Sequence, residues 1–181
     1  MKKLFFLGYF LFLSSLTFSQ MLPWKNITPL NYSYPYDAKA DTASKRFFIG
    51  DQNKNFFRIN SIGDSIDILH LTSELYSVIR VDEKLYSVAY QGRGVFESLD
   101  NGLTWREKYD IFRAQNLYYD GQRIWSGTED GRIFYFDKQG NLIWLNGTLS
   151  GRIKNIYCFD NILLAGVEYK GNYRSSDMGI T

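Results

Sequence analysis

Along most of the chain, apolar and polar side chains alternate, or apolar residues come in short runs of aromatic and β-branched side chains. This pattern begins at Ser44, and no stretch beyond it has the spacing of an amphipathic helix. The runs are separated by Asn-Gly and Asp-Gly pairs, which favour tight hairpin turns. The sequence therefore predicts short antiparallel strands joined by hairpins, with no helix longer than about two turns.

The predicted strands recur in units of four with a period of about 40 residues. The position that follows the third strand of each unit is occupied by Asn60, Asp100, Asp137 and Asp177. Four-stranded units with this period are typical of the blades of a β-propeller, in which each blade packs on its neighbours. We predict an all-β propeller of about four four-stranded antiparallel blades. The predicted blades lie near 44–71, 74–109, 112–146 and 150–181, with the last one incomplete.

The turn after the third strand of the second unit carries a motif. Its members are Ser98, Asp100, Gly102, Thr104 and Trp105. Aspartate accepts hydrogen bonds from nearby backbone N–H groups, glycine adopts a positive φ without strain, and threonine and tryptophan suit a half-buried strand. The octapeptide resembles the Asp-box, or BNR repeat, whose pattern is Ser-x-Asp-x-Gly-x-Thr-Trp. The resemblance implies a propeller of the sialidase-like or sortilin-like superfamily, in which these five residues hold a turn and do no chemistry.

A second copy of the motif stands at the end of the sequence. Ser175, Asp177, Gly179 and Thr181 match it, and the chain stops one residue before the expected tryptophan. We interpret this as the N-terminal part of a longer protein, or as a truncated gene model. The alternative is a closed ring of four blades, in which residues 21–43 supply the missing last strand and remove the exposed sheet edge.

Residues 1–19 have the layout of a secretory signal peptide. Lys2 and Lys3 precede an apolar run, Leu4–Leu13, and small polar residues follow it. We place the cleavage between Ser19 and Gln20. The layout resembles signal peptides of the Bacteroidetes type, which implies a secreted, periplasmic or cell-surface bacterial protein. An uncleaved membrane anchor is the alternative, although the apolar run is short for a span of about 20 residues.

Residues 20–43 form a predicted lead-in segment. It contains all 3 prolines of the chain, which favours an extended, irregular course with one edge strand at most. Composition adds two constraints. A net charge of +2 indicates neither a nucleic-acid nor a membrane-surface partner, and the single cysteine, Cys158, excludes an intrachain disulfide.

The sequence offers no catalytic, cofactor-binding or metal-binding constellation. His70 is the only histidine, and Cys158 lies in an apolar strand, so we read both as structural. Asp64, Asp67, Glu129 and Asp130 are expected in turns, where carboxylates usually bond to the backbone rather than to calcium. Sialidases hold their substrate with arginines, the first in a Phe-Arg-Ile-Pro motif. Arg58 lies in Phe57-Arg58-Ile59-Asn60, a near match in which Asn60 replaces the proline. The alternation of polar and apolar residues in a strand also explains an arginine at this position.

Two functions from different classes remain open. The first is a secreted, non-enzymatic binding or scaffold module with a protein or glycan ligand, at the front of a larger surface or sensor protein. The second is an exo-acting glycoside hydrolase of the sialidase type. We favour the first, because a fold alone does not specify a function and no pair of catalytic groups can be located here.

Overall fold

The structure is a computed structural model that describes residues 35–60, 65–71, 74–89 and 93–180. These residues form strands and turns, with no α-helix among them. The strands are β1 (Pro35–Asp41), β2 (Arg46–Asp51), β3 (Asn55–Asn60), β4 (Ile66–His70), β5 (Leu75–Val81), β6 (Lys84–Ala89), β7 (Arg93–Ser98), β8 (Arg106–Phe112), β9 (Tyr118–Tyr119), β10 (Arg123–Gly127), β11 (Ile133–Asp137), β12 (Leu142–Trp144), β13 (Ile153–Phe159), β14 (Ile162–Val167) and β15 (Gly171–Ser175).

The strands form four antiparallel sheets whose strand order follows the chain. Sheet 1 is β1–β4, sheet 2 is β5–β8, sheet 3 is β9–β12, and sheet 4 is β13–β15. In each sheet the first strand stands at one edge. These four strands, β1, β5, β9 and β13, lie beside one another across successive sheets. The first strands therefore surround an axis, and the sheets form a propeller-like array of blades. The predicted fold class, with an incomplete last blade, is confirmed.

The hydrophobic core lies between the sheets rather than within any one of them. Phe48 and Phe56 of sheet 1 pack against Leu75, Val78 and Leu85 of sheet 2. The largest cluster joins sheets 2 and 3, and a third joins Trp125 of sheet 3 to apolar residues of sheet 4. A single sheet cannot cover its own two faces, so each blade is stabilised chiefly by its neighbours.

A β-bulge repeats at the start of the first strand. The register shifts between Pro35 and Asp37 in β1, between Leu75 and Ser77 in β5, and between Ile153 and Asn155 in β13. An extra residue at the same place in three sheets bends each first strand in the same way. This repetition fixes which positions of the sheets correspond to one another.

The start of the first sheet differs from the predicted boundary at Ser44. Strand β1 lies inside the predicted lead-in segment 20–43 and pairs with β2 along its length. Pro35 is compatible with this pairing because it is the first residue of the strand, where a missing N–H is tolerated. Asp67 also differs from expectation, since it lies within β4 and not in a turn.

Some sequence predictions fall outside the described residues. They are the signal peptide, its cleavage between Ser19 and Gln20, Asp64 and the last motif residue, Thr181. Within the described part of the chain, no helix is long and apolar enough to cross a membrane.

Candidate functional site

The array has two ends with different loops. At the upper face lie the segments that lead into each first strand, together with the hairpins between second and third strands. Backbone hydrogen bonds join these loops: Gln115 N donates to Gly127 O at 2.9 Å, and Glu168 N donates to Arg152 O at 2.9 Å. At the lower face lie the other hairpins, between first and second strands and between third and fourth strands. Both copies of the predicted motif follow a third strand and so lie at the lower face.

The motif at 98–105 forms one closely bonded turn. Thr104 donates to the Asp100 carboxylate through its backbone N at 2.9 Å and its hydroxyl at 2.6 Å. Ser98 Oγ donates to Asp100 at 2.8 Å and accepts from Gly102 N at 2.8 Å. These bonds hold the pKa of Asp100 at about 2, below the usual 3.8. Asn101 and Gly102 have φ values of 60° and 85°, which asparagine and glycine tolerate best.

Trp105 attaches this turn to the neighbouring sheet. Its ring meets Phe56 of sheet 1 edge-on, with centroids 5.6 Å apart, and its Nε1 donates to Gly102 O at 3.1 Å. A Cβ at Gly102 would collide with the ring of Phe56. The five motif residues therefore come together at the contact between sheets 1 and 2, where they join backbone to core.

Two arginines hold the same turn from the sheets beneath it. Arg58 donates to Asn101 O at 2.9 Å and forms an ion pair with Asp67 at 3.1 Å. Arg80 donates to Asn101 Oδ1 at 2.6 Å and to Asp41 Oδ2 at 2.6 Å. The arginine considered as a sialidase candidate is thus engaged in a contact between sheets 1 and 2.

The second copy of the motif has the same local geometry as far as the described residues extend. Ser175 Oγ donates to Asp177 at 2.5 Å and accepts from Gly179 N at 2.7 Å. Gly179 has a φ of 77°, and a Cβ there would collide with Leu145 of sheet 3. This turn therefore also packs against the preceding sheet.

A cavity of about 460 Å³ lies on the axis, toward the lower face. Its walls come from three sheets. Strands β1 and β5 supply residues 39–41 and 78–80, and the third wall is residues 117–119, which include β9. Lys39, Tyr118 and Tyr119 line it, although the two tyrosine hydroxyls donate to Cys158 O and Gly121 O. Asp41 and Arg80 bring a nearly buried ion pair 2.6 Å long. Burial alone would raise the pKa of Asp41, but hydrogen bonds from Ser44 and Arg80 outweigh it and lower that pKa.

Polar residues also occupy corresponding positions at the start of the first strands. Ser77 Oγ donates to Asp37 Oδ2 at 3.1 Å and accepts from Leu117 N at 3.3 Å, so one hydroxyl links sheets 1, 2 and 3. Asn116 is 4% exposed, and its Oδ1 has no hydrogen-bond partner among the described residues. An unpaired buried carbonyl oxygen is costly, so this position near the axis can accept a hydrogen bond from a ligand or water.

The upper face carries an ion cluster between sheets 3 and 4. Glu129 accepts from Arg113 at 2.5 Å and also from Arg152, which itself reaches Glu168 at 3.7 Å. Burial raises the pKa of Glu129, but the two arginines outweigh that effect and lower it. The sequence predicted that the Glu129 carboxylate would accept hydrogen bonds from the backbone of its own turn. No local signal reveals the cluster, because its arginines come from the segments before β9 and β13.

Reactive groups are few among the described residues. His70 lies exposed at the end of β4, whereas Cys158 is buried and its thiol pKa is raised by that burial. No group of three or more metal-ligating side chains occurs in the ranges that the structure describes. What the arrangement offers is a polar axial cavity and a charged upper face, both suited to binding through hydrogen bonds and ion pairs.

Comparison with known proteins relates the chain to others by fold. No family model matches it, and no curated protein matches it. The computationally designed Ika4 protein aligns with 14% identity, over 85% of this chain and 99% of that chain, at a TM-score of 0.64. A chain from a nidogen/laminin complex aligns with 12% identity, over 78% of this chain and 58% of that chain, at a TM-score of 0.67.

A third similar structure is an extracellular domain of a bacterial protein. It is an extracellular domain described as that of the one component system BT4673 from B. thetaiotaomicron. It aligns with 19% identity over 83% of this chain, at a TM-score of 0.65. The present chain spans only 21% of the length of that domain. At these identities the likeness concerns the fold, and it agrees with a propeller-like array of antiparallel sheets.

Proposed function

We propose that the chain is a non-enzymatic extracellular binding or scaffold module, forming the N-terminal part of a larger surface or sensor protein. Its ligand, a protein or a glycan, contacts the axial cavity. The observation that carries this proposal is the cavity of about 460 Å³, whose walls come from the first strands of three different sheets. Concave sites with a few convergent polar groups are the usual ligand sites of proteins, and propellers present one on their axis.

The charge state of two carboxyl groups makes them poor candidates for the acid of a glycosidase. A hydrolase needs an acid whose pKa is raised by its surroundings. Asp41, at the cavity, has a lowered pKa, as does Glu129 at the upper face. Both carboxylates accept hydrogen bonds from arginine, which keeps them charged and unable to donate a proton at neutral pH.

The predicted signal peptide supports an extracellular location, and the likeness to the BT4673 extracellular domain agrees with it. Because the present chain spans about a fifth of that domain's length, a larger surface or sensor protein is the setting we favour. The alternative function, a sialidase-type hydrolase, is tested by the same experiment as the proposed one.

The experiment pairs a binding screen with a hydrolysis assay. The exported protein is presented to glycan and extracellular-protein panels, and incubated with a fluorogenic sialoside. We expect a retained ligand and no release of the fluorophore. Lys39→Met should weaken the retained ligand about tenfold, the effect of losing roughly 1.4 kcal/mol.

Lys154→Met is the matched control. Lys154 also lies in a first strand and forms an ion pair, 3.6 Å from Glu168, as Lys39 does with Asp37 at 3.2 Å. It belongs to β13, which supplies no wall of the cavity, so binding should be unchanged. Turnover of the sialoside would support the hydrolase, and equal effects of the two variants would place the ligand elsewhere.

A further inference from the structure

The hairpin between β14 and β15, at the upper face, presents one aromatic ring to solvent. Tyr169 stands at its tip and is 97% exposed, so its ring packs against nothing in the described chain. Its backbone φ is 59°, a left-handed conformation that a bulky side chain rarely adopts. Among the residues that the structure describes, Tyr169 is the one aromatic residue with a positive φ. This ring contributes nothing to the core, and strained positions of this kind cluster at functional sites.

The exposure of this tip does not depend on what lies beyond sheet 4. The hairpins of sheets 1 and 3 offer the comparison, because a further sheet follows each of them. In all three hairpins the N–H of the residue after the tip donates to the carbonyl three residues earlier, which aligns Tyr169 with Asn53 and Asp130. Asn53 and Asp130 are exposed although their next sheet is present. The feature particular to sheet 4 is therefore the aromatic residue at this tip.

Hydrogen bonds and ion pairs hold the base of the hairpin in place. Lys170 N donates to Val167 O at 3.1 Å, and Glu168 N donates to Arg152 O at 2.9 Å. The Glu168 carboxylate also lies 3.7 Å from Arg152 and 3.6 Å from Lys154. The ring is thus presented from a fixed base, so binding has to immobilise little more than the side chain itself.

The surface around the tip is positively charged. Among the described residues, the upper-face loops of sheets 3 and 4 and the start of β13 hold more basic than acidic side chains. The basic ones are Arg113, Arg132, Arg152, Lys154 and Lys170, and the acidic ones are Glu129, Asp130 and Glu168. A second exposed ring, Phe112, is 46% exposed and carries the Arg113 guanidinium 5.1 Å from its centre. Tyrosine and arginine are enriched at the hot spots of protein interfaces, and this charge is complementary to an acidic surface.

We infer that Tyr169 anchors a partner protein to the upper face, by inserting its ring into an apolar pocket of that partner whose rim is acidic. A protruding ring has to be received by a concave surface, which a folded protein offers and a flexible glycan does not. Lys170, next in the chain and exposed, meets the acidic rim. Aromatic side chains buried in a partner's pocket contribute most to the affinity of such interfaces. This site lies at the opposite end of the array from the lower-face side of the axial cavity, so it is separate from the ligand proposed above.

A display library of disulfide-constrained random peptides tests this inference. The library is first depleted on the Tyr169→Asn protein and then selected on the wild-type exported protein. We expect an enriched pool that combines apolar residues with aspartate and glutamate. Its peptides should bind about tenfold more weakly to Lys170→Glu, which reverses the charge beside the ring. Tyr169→Phe keeps the ring and should bind them nearly as well as the wild type does.

Two controls and a stability measurement complete the test. Asn53→Ser, at the corresponding tip of sheet 1, and Lys39→Met, at the axial cavity, should leave peptide binding unchanged. Tyr169→Asn should not lower the urea midpoint, because asparagine tolerates a positive φ better than tyrosine does. A lower midpoint would show that the ring supports the fold and would overturn the inference. A selection that enriches no peptide, or a pool without acidic residues, would overturn it as well. Binding to a glycan array that is lost in Tyr169→Asn would assign the ring to a glycan instead.

Discussion

At the scale of single residues, the lower-face turn at 98–105 shows how one carboxylate organises a backbone. Asp100 accepts three hydrogen bonds at 2.6–2.9 Å from Ser98 and Thr104, and Trp105 then fixes the turn to Phe56. The polar side chains that define the motif use their hydrogen-bonding groups in these internal contacts. The motif therefore contributes to stability and leaves its polar atoms with little capacity to hold a ligand.

We predict that Asp100→Ala lowers the free energy of unfolding by about 1 kcal/mol at pH 7, as the loss of a capping side chain usually does. The pKa of Asp100 is about 2 in the folded chain, against 3.8 ordinarily. A depressed pKa stabilises the fold above the unfolded value, so the difference from wild type should shrink as the pH falls from about 4 to about 2. Urea titrations at several pH values measure this. Equal stability of the two proteins at pH 7 would contradict the prediction.

The two tryptophans that contact neighbouring sheets should differ in their contributions. Trp105 is half-buried, whereas Trp125 is fully buried between sheets 3 and 4 and donates to Asp120 at 2.7 Å. We expect Trp105→Ala to cost about 3 kcal/mol and Trp125→Ala up to about 5 kcal/mol. Urea midpoints give the ranking. If Trp105→Ala were the more damaging change, the turn would matter more than the core contact.

At the scale of elements, charged side chains connect the loops of neighbouring sheets. Glu129, on the hairpin between β10 and β11, receives arginines from the segments before β9 and β13. The cluster therefore ties sheet 4 to sheet 3 at the upper face, while Trp125 ties them in the core. Its side chains are partly exposed, with Arg113 at 36% and Glu129 at 23%, so water and salt moderate its strength.

We predict that Glu129→Gln destabilises the chain by roughly 1 kcal/mol at low salt, because the carboxylate is only partly buried and its removal leaves two arginines facing each other. The loss should become smaller in about 1 M salt, where screening weakens such interactions. Asp130→Asn, beside it in the same hairpin, bears on one arginine only and is the control. An equal effect of the two substitutions would show that no cluster acts at Glu129.

At the scale of the whole molecule, the sheets are unequal in how well they are covered. Sheets 2 and 3 have a neighbour on each face, whereas sheet 4 is covered on one face and contains three strands among the described residues. In arrays of repeated units, stability is shared with neighbours, so a sheet that has one described neighbour should open more easily than a sheet that has two. This inequality is a property of the array and of no single residue.

Cys158 offers a probe of that inequality. It lies in β13 and is 6% exposed, and burial raises the pKa of its thiol, so the native chain should react slowly with a thiol reagent. We predict that low urea concentrations speed the labelling of Cys158 before the far-UV circular dichroism of the whole chain changes. Labelling that begins only with the global transition would show that all four sheets unfold together.

The sequence by itself determined the local features of this protein. Alternating side chains and short apolar runs predicted antiparallel strands in units of four, because a strand with one open face alternates, as β14 does, whereas a strand covered on both faces, such as β6, is buried along its length. The turn at 98–105 was equally predictable, since its hydrogen bonds join residues at most four positions apart. The prolines of the lead-in predicted an irregular course with one edge strand at most, and β1 is an edge strand that begins at Pro35, but the pattern did not give its bounds.

Only the tertiary structure decided what lies between the sheets. The axial cavity joins Lys39, Arg80 and Tyr119, and the ion cluster joins Glu129 to arginines from two other loops. Phe47 and Leu164 look in the sequence like Leu85 and Tyr86, yet the first two are 40% and 44% exposed and the last two are buried. Hydrogen bonds within a turn depend on neighbouring residue types, whereas contacts between blades depend on how the whole array packs around its axis.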